Sequence, residues 1–466
     1  MTSGKAPDMD PEELLEYTRR RSLEYLESLP ERNVSPALSS DGIRQLLGAR
    51  LSDGATPAAA VIGTLADAGL GGTVASTGPR YFGFVTGGNL PAAHAADWLV
   101  STWDQNPAVY VLSPLVAVIE DITAGWLREL TGLPTGMSVG FVTGCQMASF
   151  TALAAARHRV LEHAGWNVAA DGLFGAPQVD VIIGEEAHYT IPMALRHLGF
   201  GAARLRRVGA DGQGRMKADA LRAALRGRSG PCIVCAQAGN VNTGAFDPLE
   251  AIADAAKERG AWLHVDGAFG LWAAAAPALA PLTRGIERAD SIATDGHKWL
   301  NVPYDCGIVF CADAEAHRAA MLLQAPYVIG SSSERDPHEF VPEESRRARA
   351  VPVYAALRSL GRAGLADLVE RCCRLARRFA DGLRSAGLEV LNDVVLNQVL
   401  VRFGDAERTR RTIAAIQQDG TCWCGGTQWQ GHTAMRISVS NWRTTESDVD
   451  RSLEAIVRVA AQCADI

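Results

Sequence analysis

The sequence predicts an α/β fold built on a mostly parallel sheet, and three observations predict it. From residue 139 to residue 265 strand-like and helix-like segments alternate, as in sheets whose strands are joined by crossover helices. Residue types capable of chemistry fall just after the strand-like runs, and such sheets bind ligands beyond the carboxyl ends of their strands. The chain has 466 residues, 47% of them hydrophobic and 21% charged, which is enough for a large domain with a smaller one attached.

In chain order, residues 9–51 carry a helical pattern. Asp10-Pro11-Glu12-Glu13 is a good helix start, with Pro in the first turn, and residues 28–36 break the pattern into an extended segment. Gly78 to Gly88 is dense in aromatics and glycines, and glycine lets backbone approach a ligand closely. The alternating region follows, with strands expected at 139–142, 179–183, 203–208, 232–236 and 262–265. Helices are expected at 148–158, from 191, at 218–225 and at 249–257. A strand returns at 305–310. Residues 324–342 are irregular and polar, as mobile active-site lids often are. Helices at 353–360 and 365–386 lead to a last part with strands at 388–391, 398–403 and 434–441 and helices at 408–418 and 446–459.

Composition excludes several function classes. A net charge of −7 gives no reason to expect nucleic acid or an anionic membrane as a partner. Met1 to Asp10 is polar and acidic, unlike a secretory signal, and no apolar run is long enough to cross a bilayer. Ten scattered cysteines suit a reducing, cytoplasmic setting. Neither Cys372-Cys373 nor Cys422-Trp423-Cys424 has the paired spacing of a zinc site, so no metal is expected.

Two stretches carry the chemistry. In Ala293-Thr294-Asp295-Gly296-His297-Lys298-Trp299-Leu300 a lysine sits between a histidine and a bulky aromatic. Burial there would favour the free amine, the form that attacks a carbonyl. About thirty residues earlier, His264-Val265-Asp266-Gly267-Ala268 places a carboxylate at the end of an apolar strand. A Schiff-base lysine and an aspartate for a pyridinium nitrogen are the two protein groups that pyridoxal 5'-phosphate requires.

These ordered motifs resemble the PLP-dependent group II amino-acid decarboxylases, the family of aromatic-amino-acid and glutamate decarboxylases, from about Glu12 to Ala460. The resemblance implies the aspartate-aminotransferase-like fold type I, with a seven-stranded sheet in the large domain and a small C-terminal α+β domain. Its parts would be a dimer-wrapping segment at 1–75, a PLP-binding domain at 76–350 and a small domain at 351–466. It also implies a homodimer with the active site at the interface.

Residue by residue, the resemblance makes Lys298, Asp266, His188 and His297 catalytic. Lys298 would hold the cofactor, Asp266 its ring nitrogen, and His188, in Ala187-His188-Tyr189-Thr190, would stack on the ring. Ala268 and Asp295 belong to the same cofactor motifs. Gly140 to Ser149 resembles the family's phosphate cradle at a helix N-terminus, with Cys145 and Met147 where hydroxyls are usual, so Thr143, Gly144, Cys145 and Gln146 are the contacts expected. Gly239-Asn240-Val241-Asn242-Thr243-Gly244 resembles a cofactor turn in which Asn240 replaces a threonine. The other reading of that turn is backbone geometry alone.

Phe82, Phe84 and Thr86 are expected at the substrate, where the neighbouring glycines favour a pocket, although any single aromatic there is more often core than a ligand contact. Arg436 matches an arginine that some relatives aim at the substrate carboxylate, a task suited to its forked guanidinium. A strand-surface salt bridge is the alternative. The family's lid carries a tyrosine that protonates the carbon left by carboxylate loss. Here no tyrosine falls at that place: Asp336 stands there, with His338 near, and Tyr327 is the only tyrosine of residues 324–342. The expected activity is decarboxylation of an L-amino acid, with an aromatic or apolar side chain favoured. The altered lid leaves a decarboxylating oxidase (aldehyde synthase) or an aminotransferase-type reaction as the alternative.

Overall fold

The computed structural model describes residues 9–322 and 334–464. Its centre is a seven-stranded sheet made of β1 (Ser138–Val142), β2 (Asp180–Gly184), β3 (Arg206–Val208), β4 (Cys232–Gln237), β5 (Trp262–Asp266), β6 (Ser291–Asp295) and β7 (Gly307–Cys311). The spatial order is β1-β7-β6-β5-β4-β2-β3. β7 runs antiparallel to both its neighbours and the other pairs are parallel.

β4 to β7 are buried along their whole length, which is why they read as apolar runs and not as an alternation. The helix Cys145–Glu162 packs across β1, β5, β6 and β7 on one face. Its Ala152, Leu153, Ala155 and Ala156 are fully buried, and the small side chains let the helix lie close to the sheet.

A four-stranded antiparallel sheet follows. It comprises β8 (Glu389–Val390), β9 (Gln398–Arg402), β10 (Gly425–Trp429) and β11 (His432–Ser438), in the order β10-β11-β9-β8. The helix Ala350–Ser385 joins the two sheets, and the expected domain boundary at 351 falls at its start. Gly361, at φ 62°, kinks it between the two helices read from the sequence. The N-terminal helix Pro11–Ser28 begins where expected, with Asp10 and Glu13 forming a capping box, yet buries none of its residues.

Differences from the sequence reading have local causes. The helices Ala58–Gly72, Pro91–Trp103 and Pro114–Thr131 were not foreseen, since glycine, tryptophan and a mixed apolar pattern blur their period. β10 begins with Gly425-Gly426, which carry no strand signal. Only Arg206–Val208 of the expected strand at 203–208 joins the sheet, because residues 202–204 form a 3₁₀ turn. Among the described residues no helix is long and apolar enough to cross a membrane.

Candidate active site

The carboxyl ends of β1, β2, β4, β5 and β6 open onto one cavity of about 720 Å³, closed on its far side by Phe84, Val85, Thr86 and, from the C-terminal sheet, Thr427 and Arg436. Gly307, at the start of β7, fits beneath the rim only because it lacks a side chain. A Cβ there would lie 2.3 Å from the Gly144 backbone.

Lys298 follows β6 and enters the cavity. Its Nζ lies 2.8 Å from Oδ2 of Asp295, the last residue of β6. Burial works against charge on this amine, but the carboxylate of Asp295 outweighs it and holds the lysine pKa above its ordinary value. The expected free base is therefore not what the fold supplies, because a carboxylate three residues away stabilises the ammonium. The other oxygen, Oδ1, accepts the Cys145 amide at 2.6 Å and lies 3.4 Å from Nε2 of His297.

Asp266, at the end of β5, accepts through Oδ1 from the Ala268 amide at 3.1 Å and from the Cys145 thiol at 3.5 Å. Its second oxygen accepts from no described residue. Burial, then Asp266 and Asp295, push the Cys145 thiol well up, so it acts as a neutral donor. Cys145 opens an 18-residue helix whose N-cap, Gly144, has no side chain to cap it; Asp295 takes the Cys145 amide, and the next amides of the first turn have no intrahelical partners.

His188 lies beyond β2. Its amide donates to Oε1 of Gln237 at 3.2 Å, and its Nδ1 pairs with Oγ1 of Thr190 at 2.7 Å. Burial lowers its pKa, with Asp266 opposing. His297 is likewise pushed down by burial. Its Nδ1 accepts the Cys306 amide at 3.1 Å and its ring stacks on Tyr304 at 4.2 Å.

Of the residues expected at the site, Lys298, Asp266, His188, His297, Ala268, Gly144, Cys145, Gln146, Asp295, Phe84, Thr86 and Arg436 line this cavity. Three are placed elsewhere. Phe82 is 1% exposed and packs edge-on against Phe379. Asn240 is buried, and its Oδ1 accepts the amides of Asn242 and Thr243, so it serves its own turn. Thr143 is not among the lining residues.

In the lid, Asp336 accepts the Tyr110 amide at 2.7 Å, and His338 pairs with Glu344 at 3.1 Å. Both are anchored outside the cavity, and Tyr327 lies outside the described residues. Tyr189, Phe269 and Tyr304 line the cavity without having been foreseen. The signal for Tyr304 was its place six residues after Lys298 in the segment between β6 and β7.

A model of the pyridoxal-dependent decarboxylase conserved domain matches residues 42–403. The chain belongs to this family. Its cofactor is pyridoxal phosphate, and the reaction class is amino-acid decarboxylation, a carboxy-lyase activity.

The chain is 26% identical over 407 residues to an aromatic-L-amino-acid decarboxylase of Bacillus atrophaeus, covering 83% of this chain and 82% of the relative. It is 30% identical over 388 residues to an L-2,4-diaminobutyrate decarboxylase of Rhizobium meliloti, covering 79% and 75%. A crystal structure of an Oryza sativa protein, TDC with PLP and tryptamine, superposes with a TM-score of 0.91 at 22% identity, over 98% of this chain and 99% of that one. That likeness gives the type I fold.

The residues present suit the cofactor. An amine, an aspartate with an unused oxygen, a neutral imidazole and a helix N-terminus converge on one cavity. Pyridoxal phosphate there would supply an electron sink for the bond being broken.

Proposed function

We propose that this decarboxylase acts on an L-amino acid with an aromatic or apolar side chain. The observation that carries this reading is the cavity wall, where Phe84, Tyr189, Phe269 and Tyr304 line the same cavity as Lys298. Lys298 holds the cofactor, Asp266 keeps a proton on the ring nitrogen through its free oxygen, and His188 and His297 are neutral groups that orient it. Cys145 and Gln146 supply backbone amides to the phosphate. Arg436 receives the substrate carboxylate. Burial lowers its pKa to about 10, so it stays charged at neutral pH, and no described carboxylate pairs with it.

The anchoring of Asp336 and His338 outside the cavity favours a second reading. If no lid group protonates the carbon that loses carbon dioxide, dioxygen would take two electrons and leave as peroxide, and water would hydrolyse the substrate's imine to an aldehyde and ammonia. A panel of L-amino acids, with carbon dioxide, amine, aldehyde and peroxide assayed together, tests both readings. Amine without peroxide supports the decarboxylase, aldehyde with peroxide supports the oxidative enzyme, and turnover restricted to charged side chains removes the aromatic reading.

The chain is also proposed to work in the cytoplasm as a homodimer. The N-terminal helix buries nothing, and Trp98, Val111, Leu112 and Leu115 are exposed apolar side chains that a second copy would cover. Sedimentation of the holoenzyme as a monomer would remove the dimer.

A further inference from the structure

We propose that Asp295 is a positioning residue that gates cofactor loading. It holds Lys298 as the unreactive ammonium until a phosphate displaces its carboxylate from the Cys145 amide. The inference rests on the reading that Lys298 carries the cofactor.

Three contacts converge on one carboxylate that is only 3% exposed. Oδ2 is 2.8 Å from Nζ of Lys298, and Oδ1 is 2.6 Å from the Cys145 amide and 3.4 Å from the His297 ring. The backbone of Asp295 is fixed as well, its carbonyl by the Trp272 indole at 3.0 Å and its amide by the Ala268 carbonyl at 2.9 Å. The carboxylate thus occupies the first amide of the helix that would receive the phosphate, and it also ties up the nucleophile. His297 is held neutral by its burial and offers no compensating charge.

A phosphate dianion competes for the amide where an uncharged aldehyde does not. Once Oδ1 has lost the amide and faces the phosphate, a second negative charge there is costly, and the carboxylate takes a proton from Nζ. The amine lone pair then attacks the aldehyde carbon. The C=N bond forms, and the carbonyl oxygen leaves as water with the two hydrogens that remained on Nζ. The arrival of phosphate thereby makes the nucleophile.

The test uses cofactor-free protein and three probes: pyridoxal phosphate, pyridoxal, and pyridoxal with inorganic phosphate. Capture is followed by absorbance, and borohydride reduction with peptide mass analysis locates the label. In the wild type, pyridoxal should be captured roughly tenfold more slowly than pyridoxal phosphate, and inorganic phosphate should restore part of the rate. In Asp295→Asn, capture of pyridoxal should be indifferent to phosphate. The midpoint of its pH–rate profile should lie at least about one unit lower, since one unit is tenfold in free amine.

Coincident pH–rate profiles for the two proteins would overturn the gate. So would wild-type capture of pyridoxal that inorganic phosphate leaves unchanged, a result that needs no variant. Absence of label on Lys298 from every probe in both proteins would instead overturn the cofactor reading itself, and the gate with it.

Discussion

The indole of Trp423 stacks on the ring of Phe84, with centroids 5.8 Å apart and planes 18° from parallel. The same indole also stacks on Tyr81 at 5.2 Å. Trp423 lies two residues before β10 of the C-terminal sheet and Phe84 lines the cavity, so the C-terminal part of the chain sets the angle of a cavity wall. Gly83 makes room for this, since a Cβ there would lie 2.1 Å from the indole.

Phe84→Ala and Trp423→Ala should therefore raise KM for aromatic substrates about 2- to 10-fold, the equivalent of one aromatic pair, with kcat nearly unchanged. Phe82→Ala should behave differently. Its ring is core, and truncation should cost about 3–5 kcal/mol of stability while KM in the surviving folded enzyme stays near wild type. Steady-state kinetics beside thermal melts separate the two neighbours, and a large KM effect in the Phe82 variant would return that residue to the pocket.

Arg436 gives a second prediction. Charge-assisted hydrogen bonds to a carboxylate contribute about 1.5–3 kcal/mol, so Arg436→Met should raise KM roughly 10- to 150-fold. Inhibition by the product amine, which lacks the carboxylate, should not change. An equal loss of amine binding would show that Arg436 supports the cavity wall and not the carboxylate.

Asp266→Asn would remove the charge proposed to keep a proton on the ring nitrogen while preserving the contact to the Ala268 amide. Loss of a preorganised electrostatic contact of this kind costs about 10²–10³ in kcat. Cofactor content, measured by release in base, should stay close to wild type, because Lys298 and the helix N-terminus remain. A variant that keeps full kcat would exclude Asp266 from its assigned place.

How much of this was legible follows from where each signal resides. Asp266 and Lys298 could be read because each ends or follows an apolar strand, and strand ends in a parallel sheet converge on one cleft. The break between two helices near residue 361 could be read as well, since Gly361 interrupts the period. Phe82 and Phe84 could not be told apart, because both are aromatics in one loop and only tertiary packing decides which meets Phe379. Asn240 misled for a similar reason, since its side chain satisfies the backbone of its own turn, a geometry that sequence spacing does not show. The ammonium state of Lys298 depends on which way Asp295 points. Trp423 lies far from Phe84 in sequence, and nothing local links them.

Acid stability gives the last prediction. His264 and His317 are fully buried, each with Nδ1 against a serine hydroxyl (Ser291 at 3.0 Å and Ser138 at 2.9 Å) and with Nε2 unpartnered. Burial pushes their pKa values down to about 4 and about 3. An unfolded histidine titrates near ~6.5, so above that pH both states are neutral and neither residue affects stability. As pH falls below it, the unfolded chain binds protons that the folded chain refuses. Each histidine then removes up to ~1.4 kcal/mol per pH unit, until the folded pKa is reached.

Asp247 acts in the opposite sense. Burial raises it to about 6, against the amides of Met216 and Gln237 that bond to it. Between that value and the unfolded value near ~4 the folded state holds the extra proton, which adds stability as pH falls. Over this window two losses and one gain leave a net slope of roughly one proton from these three groups. His317→Gln, which keeps a neutral partner for Ser138, should flatten the fall in unfolding free energy between about pH 6 and pH 4, while Asp247→Asn should steepen it. Urea unfolding of the holoenzyme at several pH values measures both slopes. The slopes are the test, not the midpoints, because either substitution also changes stability at neutral pH. Slopes equal to wild type in both variants would assign the acid sensitivity to groups outside this buried set.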